Sequence, residues 1–194
     1  EAYIGNSTTA GTRADALFAV KMIFENIDRA YRDGSDLEAR KNMLLAAFSA
    51  GCAFSKSYVG YVHAVGHSLG GEYNVPHGLA NAVLLPFVLE SYGHTIDTKL
   101  HQLAIAAGVA DEATPESQAA TQFIQAIKDM KKRFSIGDTI PQIQKEDIAK
   151  LASYAEKEAN PLYPVPVLMD ARQLESFYYL LMEKNETEET NLEV

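Results

Sequence analysis

The sequence predicts an all-α fold of about seven to nine helices, and three observations carry this expectation. Apolar residues recur at three- and four-residue steps in almost every segment, the period of an amphipathic helix. Apolar alternation at a period of two is scarce, so no strand is expected. Helix-starting and helix-stopping residues punctuate the chain at intervals suited to helices of ordinary length.

The elements follow in order. The chain opens EAYIGNS, with no Met and no capping residue before its first apolar positions, and this reads as the tail of a helix whose front is absent. From about Thr12 to Tyr31, Ala16, Leu17, Val20, Phe24 and Ile27 form one apolar face. Asp33-Gly34-Ser35 breaks that helix, and Ser35 or Asp36 can cap the next one, from Leu37 to about Ser57. Gly60 and a histidine-bearing segment follow. Pro76 fits the turn before a further helix with His77 near its start, which the internal Pro86 should kink or end. Thr95 to Ala107 reads as a short helix closed by Gly108, and Pro115 suits the first position of a helix running to about Phe134. Gly137 to Gln144 is a linker, Lys145 to Ala159 is helical, and the proline-spaced stretch Asn160 to Pro166 must be extended. Asp170 caps a last helix through about Lys184, and the acidic residues 185–194 should fray.

Bulk properties narrow the function. A length of 194 residues suits a single domain or a large piece of a bigger protein. A hydrophobic share of 47% with 22% charged residues is that of an ordinary globular chain with a sizeable core. The net charge of −9 argues against nucleic acid as a partner. No apolar run is long enough to span a bilayer, and the N-terminus has no basic, signal-like region. The single cysteine, Cys52, cannot form an internal disulfide, is expected in the core, and fits a cytoplasmic location.

The segment GYVHAVGHSLGGEYNVPHGLANAVLLP, residues 60–86, holds three of the five histidines and supports competing readings. Gly66-His67-Ser68-Leu69-Gly70 matches the G-x-S-x-G nucleophile elbow, with Ser68 as a candidate nucleophile of a serine hydrolase. That device needs a strand-to-helix turn above a parallel sheet, which neither flank of the segment supplies, and a well-separated downstream acid and histidine, whereas the later histidines stop at His101. The alternative is a helical metal site. On a helix His63 and His67 share one face, about 6 Å apart at their Cβ atoms. A Gly-Gly pair and the Pro76 turn can bring His77 beside that face. Neutral imidazoles from neighbouring helices make a partial ligand set for Fe²⁺ or Zn²⁺. Spacing alone favours His63 with His67 as ligands and leaves open a solvent-facing pair of polar residues or a non-catalytic metal-binding module.

Gly60, His63, Ala64, His67, Gly70, His77, Gly78, Ala80, Asn81, Leu85 and Pro86 together resemble the iron-containing (group III) alcohol dehydrogenases. The RAYRDGSDLEAR stretch, Asn160-Pro161 and the Tyr163-Pro164-Val165-Pro166 run extend the likeness over nearly the whole chain. The resemblance implies the C-terminal helical domain of such an enzyme, an orthogonal multi-helix bundle like the α-domain of dehydroquinate synthase. It implies that His63 and His77 bind the catalytic Fe²⁺ (or Zn²⁺). His67, in place of a ligand role, lies near the nicotinamide ring and handles the proton. It implies oxidation of an alcohol to an aldehyde or ketone by hydride transfer to NAD(P). In the family two more ligands, an Asp and a His, precede a stretch like Glu1-Ala2-Tyr3, and a separate N-terminal domain binds most of the dinucleotide. A chain lacking both is expected to be inactive by itself and to hold metal weakly. Expected partners are small alcohols and aldehydes, with no nucleic acid and no membrane. A homo-oligomer of the intact protein, the alcohol used and the choice of NAD or NADP are left open.

Overall fold

A computed structural model of the chain describes residues 1–182, and these contain eight α-helices and no strand. The expected extension of the last helix to Lys184 and the fraying of residues 185–194 lie outside the described residues. The first helix, α1, spans Ala10–Arg32, and Thr9 caps it in a reciprocal box with Thr12. Asp36 caps α2, Leu37–Ser57, by accepting from the Ala39 N–H. The α1–α2 turn is tied by Arg29, which reaches both Asp36 and Glu38.

The central pair comes next, α3 at Tyr61–Tyr73 and α4 at His77–Ser91. Asn74 ends α3 in the left-handed conformation at φ 59°, a position Asn tolerates, and Pro76 turns the chain into α4. A 3₁₀ turn at Gly93–Ile96 leads into α5, Asp97–Ala106, and α6 covers Glu116–Arg133. A second 3₁₀ turn, Lys145–Asp147, leads into α7 at Ile148–Ala159, and α8 spans Ala171–Leu181 behind an Asp170–Gln173 capping box.

Helices pair mostly with their sequence neighbours: α1 with α2, α5 with α6, α7 with α8. The helix α3 packs on both α4 and α7. It is the most deeply set element, burying Tyr61, Val62, Ala64, Val65, Gly66 and Leu69. No helix is long and apolar enough to cross a membrane.

Two expectations need correction, the Thr95 to Ala107 helix and the burial of Cys52. The opening residues carry one bond of helical spacing, Gly5 N–H to the Glu1 carbonyl at 2.9 Å. Of the two outcomes open to Pro86, it does not end α4, which runs on to Ser91. The ring costs one backbone hydrogen bond, but Leu84, Val88 and Leu89 around it are buried, and that packing holds the helix together. The segment from Thr95 to Ala107 divides into 3₁₀ and α parts. Cys52 is only half-buried. The buried stripe of α2 is Ala39, Ala46 and Ala53, and Cys52 flanks it.

Candidate active site

The three histidines converge where α3 turns into α4. The His63 and His67 rings are 5.8 Å apart, His63 and His77 5.3 Å, and His67 and His77 5.1 Å between centroids. One helical turn separates the first two, and the Pro76 turn delivers the third. Phe54, near the end of α2, lies against His63 at 6.5 Å.

A carboxylate from a distant part of the chain holds His63. Its Nδ1–H donates to Glu1 Oε2 at 2.5 Å, while Glu1 Oε1 accepts the Val62 N–H at 2.8 Å. Glu1 therefore satisfies an otherwise unpaired donor in the first turn of α3 and places negative charge at the positive end of its dipole. Gly60 makes this approach possible. A Cβ there would lie 2.8 Å from Glu1 Oε1. The Glu1 side chain is 7% exposed. Burial pushes its carboxyl pKa up, but the His63 hydrogen bond and charge and the Val62 N–H act against this, and it lies below its ordinary value.

A second carboxylate serves His67. Its Nδ1–H donates to Glu158 Oε1 at 2.7 Å, and that same oxygen accepts the Tyr163 hydroxyl at 2.7 Å. This pair is more open, with side chains 43% and 34% exposed. Helix α7 supplies Glu158, and the loop beyond is locked to the start of α3. The Tyr61 hydroxyl donates to Asn160 Oδ1 at 2.9 Å and accepts the Met169 N–H at 2.8 Å. Asn160 Nδ2 donates to the Met169 carbonyl at 2.9 Å.

His77 is held within its own helix. Asn81 Nδ2 donates to His77 Nε2 at 3.0 Å, across one turn of α4. Asn81 also sits over Gly66 of α3, where a Cβ would be 2.4 Å from its Oδ1. That oxygen is buried without a hydrogen-bond partner. Partial desolvation, then the neighbouring His63 and His67, depress the His77 pKa and favour its neutral, lone-pair-bearing form.

Ser68 is not on an elbow. It lies inside α3, donates to the Val65 carbonyl at 2.8 Å, and is 2.6 Å from the Tyr178 hydroxyl. Because the Ser68 hydrogen goes to the Val65 carbonyl, the Tyr178 hydroxyl donates in this pair, and burial raises its pKa. No sheet exists among the described residues to raise a nucleophile. His94 pairs with Asp97 and His101 with the Asp111 carbonyl. Phe177 and Tyr178 are buried and Tyr179 is exposed.

The donor set fits a divalent ion in part. Two imidazoles sharing one ion at nitrogen–metal distances of about 2.0–2.1 Å in tetrahedral geometry present ring centres ~5 Å apart. The His63–His77 and His67–His77 spacings meet that condition, and the His63–His67 spacing of 5.8 Å is wider. With Nδ1 of His63 bound to a buried carboxylate, Nε2 is its free nitrogen, a common arrangement behind metal-binding histidines. No group of three or more His, Cys, Asp or Glu side chains is ready to hold a metal among the described residues.

The sequence pattern of the Fe-containing alcohol dehydrogenase family, C-terminal part, matches residues 1–179. The chain belongs to this family, as its C-terminal domain. The chain is 36% identical over 163 residues to alcohol dehydrogenase 4 of Saccharomyces cerevisiae, matching 82% of this chain and 41% of that protein. Against the 1,3-propanediol dehydrogenase of Citrobacter freundii the identity is 37% over 166 residues, covering 82% and 42%. A crystal structure of 1,3-propanediol oxidoreductase superposes with a TM-score of 0.86 at 32% identity, covering 92% of this chain and 47% of that one. The chain thus spans less than half the length of each of these relatives.

Proposed function

We propose that this domain contributes part of the metal site and one wall of the cleft of an NAD(P)-dependent, iron-type alcohol dehydrogenase that interconverts alcohols with aldehydes or ketones. The observation that carries this reading is the convergence of His63, His67 and His77 at one helix turn, with His63 held from behind by a buried carboxylate. His63 and His77 would hold Fe²⁺ or Zn²⁺. When bound, the ion supplies Lewis-acid polarisation of the alcohol oxygen, and NAD(P) is the hydride acceptor.

The chain's own residues have distinct tasks. Glu1 fixes the ring of His63 and keeps Nδ1 protonated, which leaves Nε2 as the ligand nitrogen. His77, kept neutral by its surroundings, would coordinate through the Nε2 lone pair that Asn81 Nδ2 engages here, with Asn81 giving way to the ion. His67 receives the proton that alcohol oxidation releases. Beside this cluster, a cavity of about 230 Å³ between α1, α2, α4 and α6 has His63 and Phe54 on its wall and is otherwise mostly apolar.

Two neutral imidazoles without the remainder of a ligand set bind a divalent ion weakly, because chelation and charge compensation are both incomplete. The isolated chain should therefore show no alcohol oxidation and only weak Zn²⁺ binding by calorimetric titration. Submicromolar Zn²⁺ affinity abolished by His63→Ala would overturn the partial-site view. In the intact protein, NAD(P)-linked oxidation of a primary alcohol that is lost in both His63→Ala and His77→Ala is the expected result. Activity retained in either variant would refute the ligand assignment.

A further inference from the structure

We propose that Glu158, assisted by Tyr163, is the positioning residue that sets the tautomer and aim of His67. The inference deepens the dehydrogenase reading above and rests on it for its catalytic meaning. Its geometric content stands independently.

A carboxylate can only accept, so the 2.7 Å contact between Glu158 Oε1 and His67 Nδ1 assigns the hydrogen to Nδ1. The basic lone pair of His67 is then on Nε2, which makes no hydrogen bond to protein among the described residues. The ring lies nearly parallel to that of His77, with an interplanar angle of 23° at 5.1 Å. Without Glu158 the imidazole would be free to flip, or to adopt the other tautomer and present a donor where a proton acceptor is needed.

Tyr163 tightens the arrangement. Its hydroxyl donates to the same Glu158 oxygen at 2.7 Å. Burial, and then this contact with Glu158, push the Tyr163 pKa upward, so the phenol remains a donor. One carboxylate oxygen thus joins the histidine to a tyrosine in the loop that Asn160 and Tyr61 anchor to α3. The chain of contacts begins and ends on the helix that carries His67. A surface pair of two mobile side chains would have no such closure.

The chemical step balances simply. The alcohol loses a hydride from carbon to NAD(P)⁺ and a proton from oxygen to His67 Nε2, while the Nδ1 proton stays on His67 and bonded to Glu158 throughout. Glu158 touches none of the reacting atoms.

The test is histidine ¹⁵N NMR on the labelled protein, reading which ring nitrogen of His67 carries the proton. Wild type should show the Nδ1–H form. Glu158→Gln keeps an acceptor oxygen and should retain it, whereas Glu158→Leu should shift His67 toward the Nε2–H form. An Nε2–H tautomer in wild type, or an unchanged tautomer in Glu158→Leu, overturns the proposal. Circular dichroism of the variants separates a lost contact from a lost fold, and Glu158→Ala, which also removes the acceptor, should give the same shift if Glu158→Leu does not fold. In the intact enzyme Glu158→Leu should lower kcat ~10-fold or more with little change in KM, a part of the roughly 10²–10⁴-fold that a positioned proton acceptor contributes. An intact protein without any alcohol oxidation would refute the dehydrogenase reading and leave the tautomer result to stand alone.

Discussion

His63 and His67 sit one turn apart on the same helix, and each gives its Nδ1–H to a carboxylate, yet the two carboxylates occupy different surroundings. Glu1 is 7% exposed and also caps the helix through Val62, whereas Glu158 is 34% exposed and shares its oxygen with a tyrosine. Identical hydrogen-bond chemistry therefore yields a fixed ring in one place and an accessible one in the other. A buried charge with full partners cannot be removed cheaply, while an open pair is screened and replaceable. That contrast suits a ligand and a proton carrier, respectively.

The contrast can be broken most directly at Glu1. Replacing it with Leu leaves the His63 Nδ1–H and the Val62 N–H unpaired in a buried setting, and should cost about 2–4 kcal/mol in urea unfolding. A loss comparable to that of a surface pair would mean that burial does not distinguish the two sites. Next in size is Gly66→Ala, which forces Asn81 away from His77 and should destabilise by about 1–3 kcal/mol. Adding Asn81→Ala should recover part of that loss, and simple additivity of the two changes would show that they do not touch.

A pH series sharpens the same point more gently. The folded-state pKa of Glu1 lies below its ordinary value of 4.5. Its contribution to stability is thus complete above that pH and is lost as pH falls through the folded value. Glu1→Gln should flatten the acid limb of the stability curve, and an unaltered limb would assign the acid sensitivity elsewhere. Smallest of all, Glu158→Leu should change unfolding free energy by less than about 1 kcal/mol. A cost equal to that of Glu1→Leu would erase the comparison.

Much of the fold was legible because helical periodicity is a local property. The α1 face, the Asp36 cap and the Pro115 start all lie within one or two turns of the residues that announce them. Burial was less legible. In α2 the large Leu44 and Phe48 are 73% and 71% exposed while Ala39, Ala46 and Ala53 are buried, since a neighbouring helix at close range selects small residues. The site divides along the same line. Three histidines and Asn81 fall within one segment and could be read together, Asn81 being four residues from His77. Glu1 and Glu158 meet their histidines across 62 and 91 residues, and no spacing rule reaches that far. The glycine at position 66 looked like half of a nucleophile elbow, and only three-dimensional packing reveals its use as the seat of an amide.

That seat has a consequence for how the cluster behaves as a measuring device. Where two helices meet through long side chains, rotamer changes let the gap breathe. Here the amide of Asn81 rests at a distance no Cβ could share, so the gap between the two imidazole-bearing helices is gauged by backbone against amide. The spacing of His63 and His77 thus inherits the stiffness of the main chain. Ions of slightly different radius must adapt to that gauge, for the gauge has little slack with which to adapt to them.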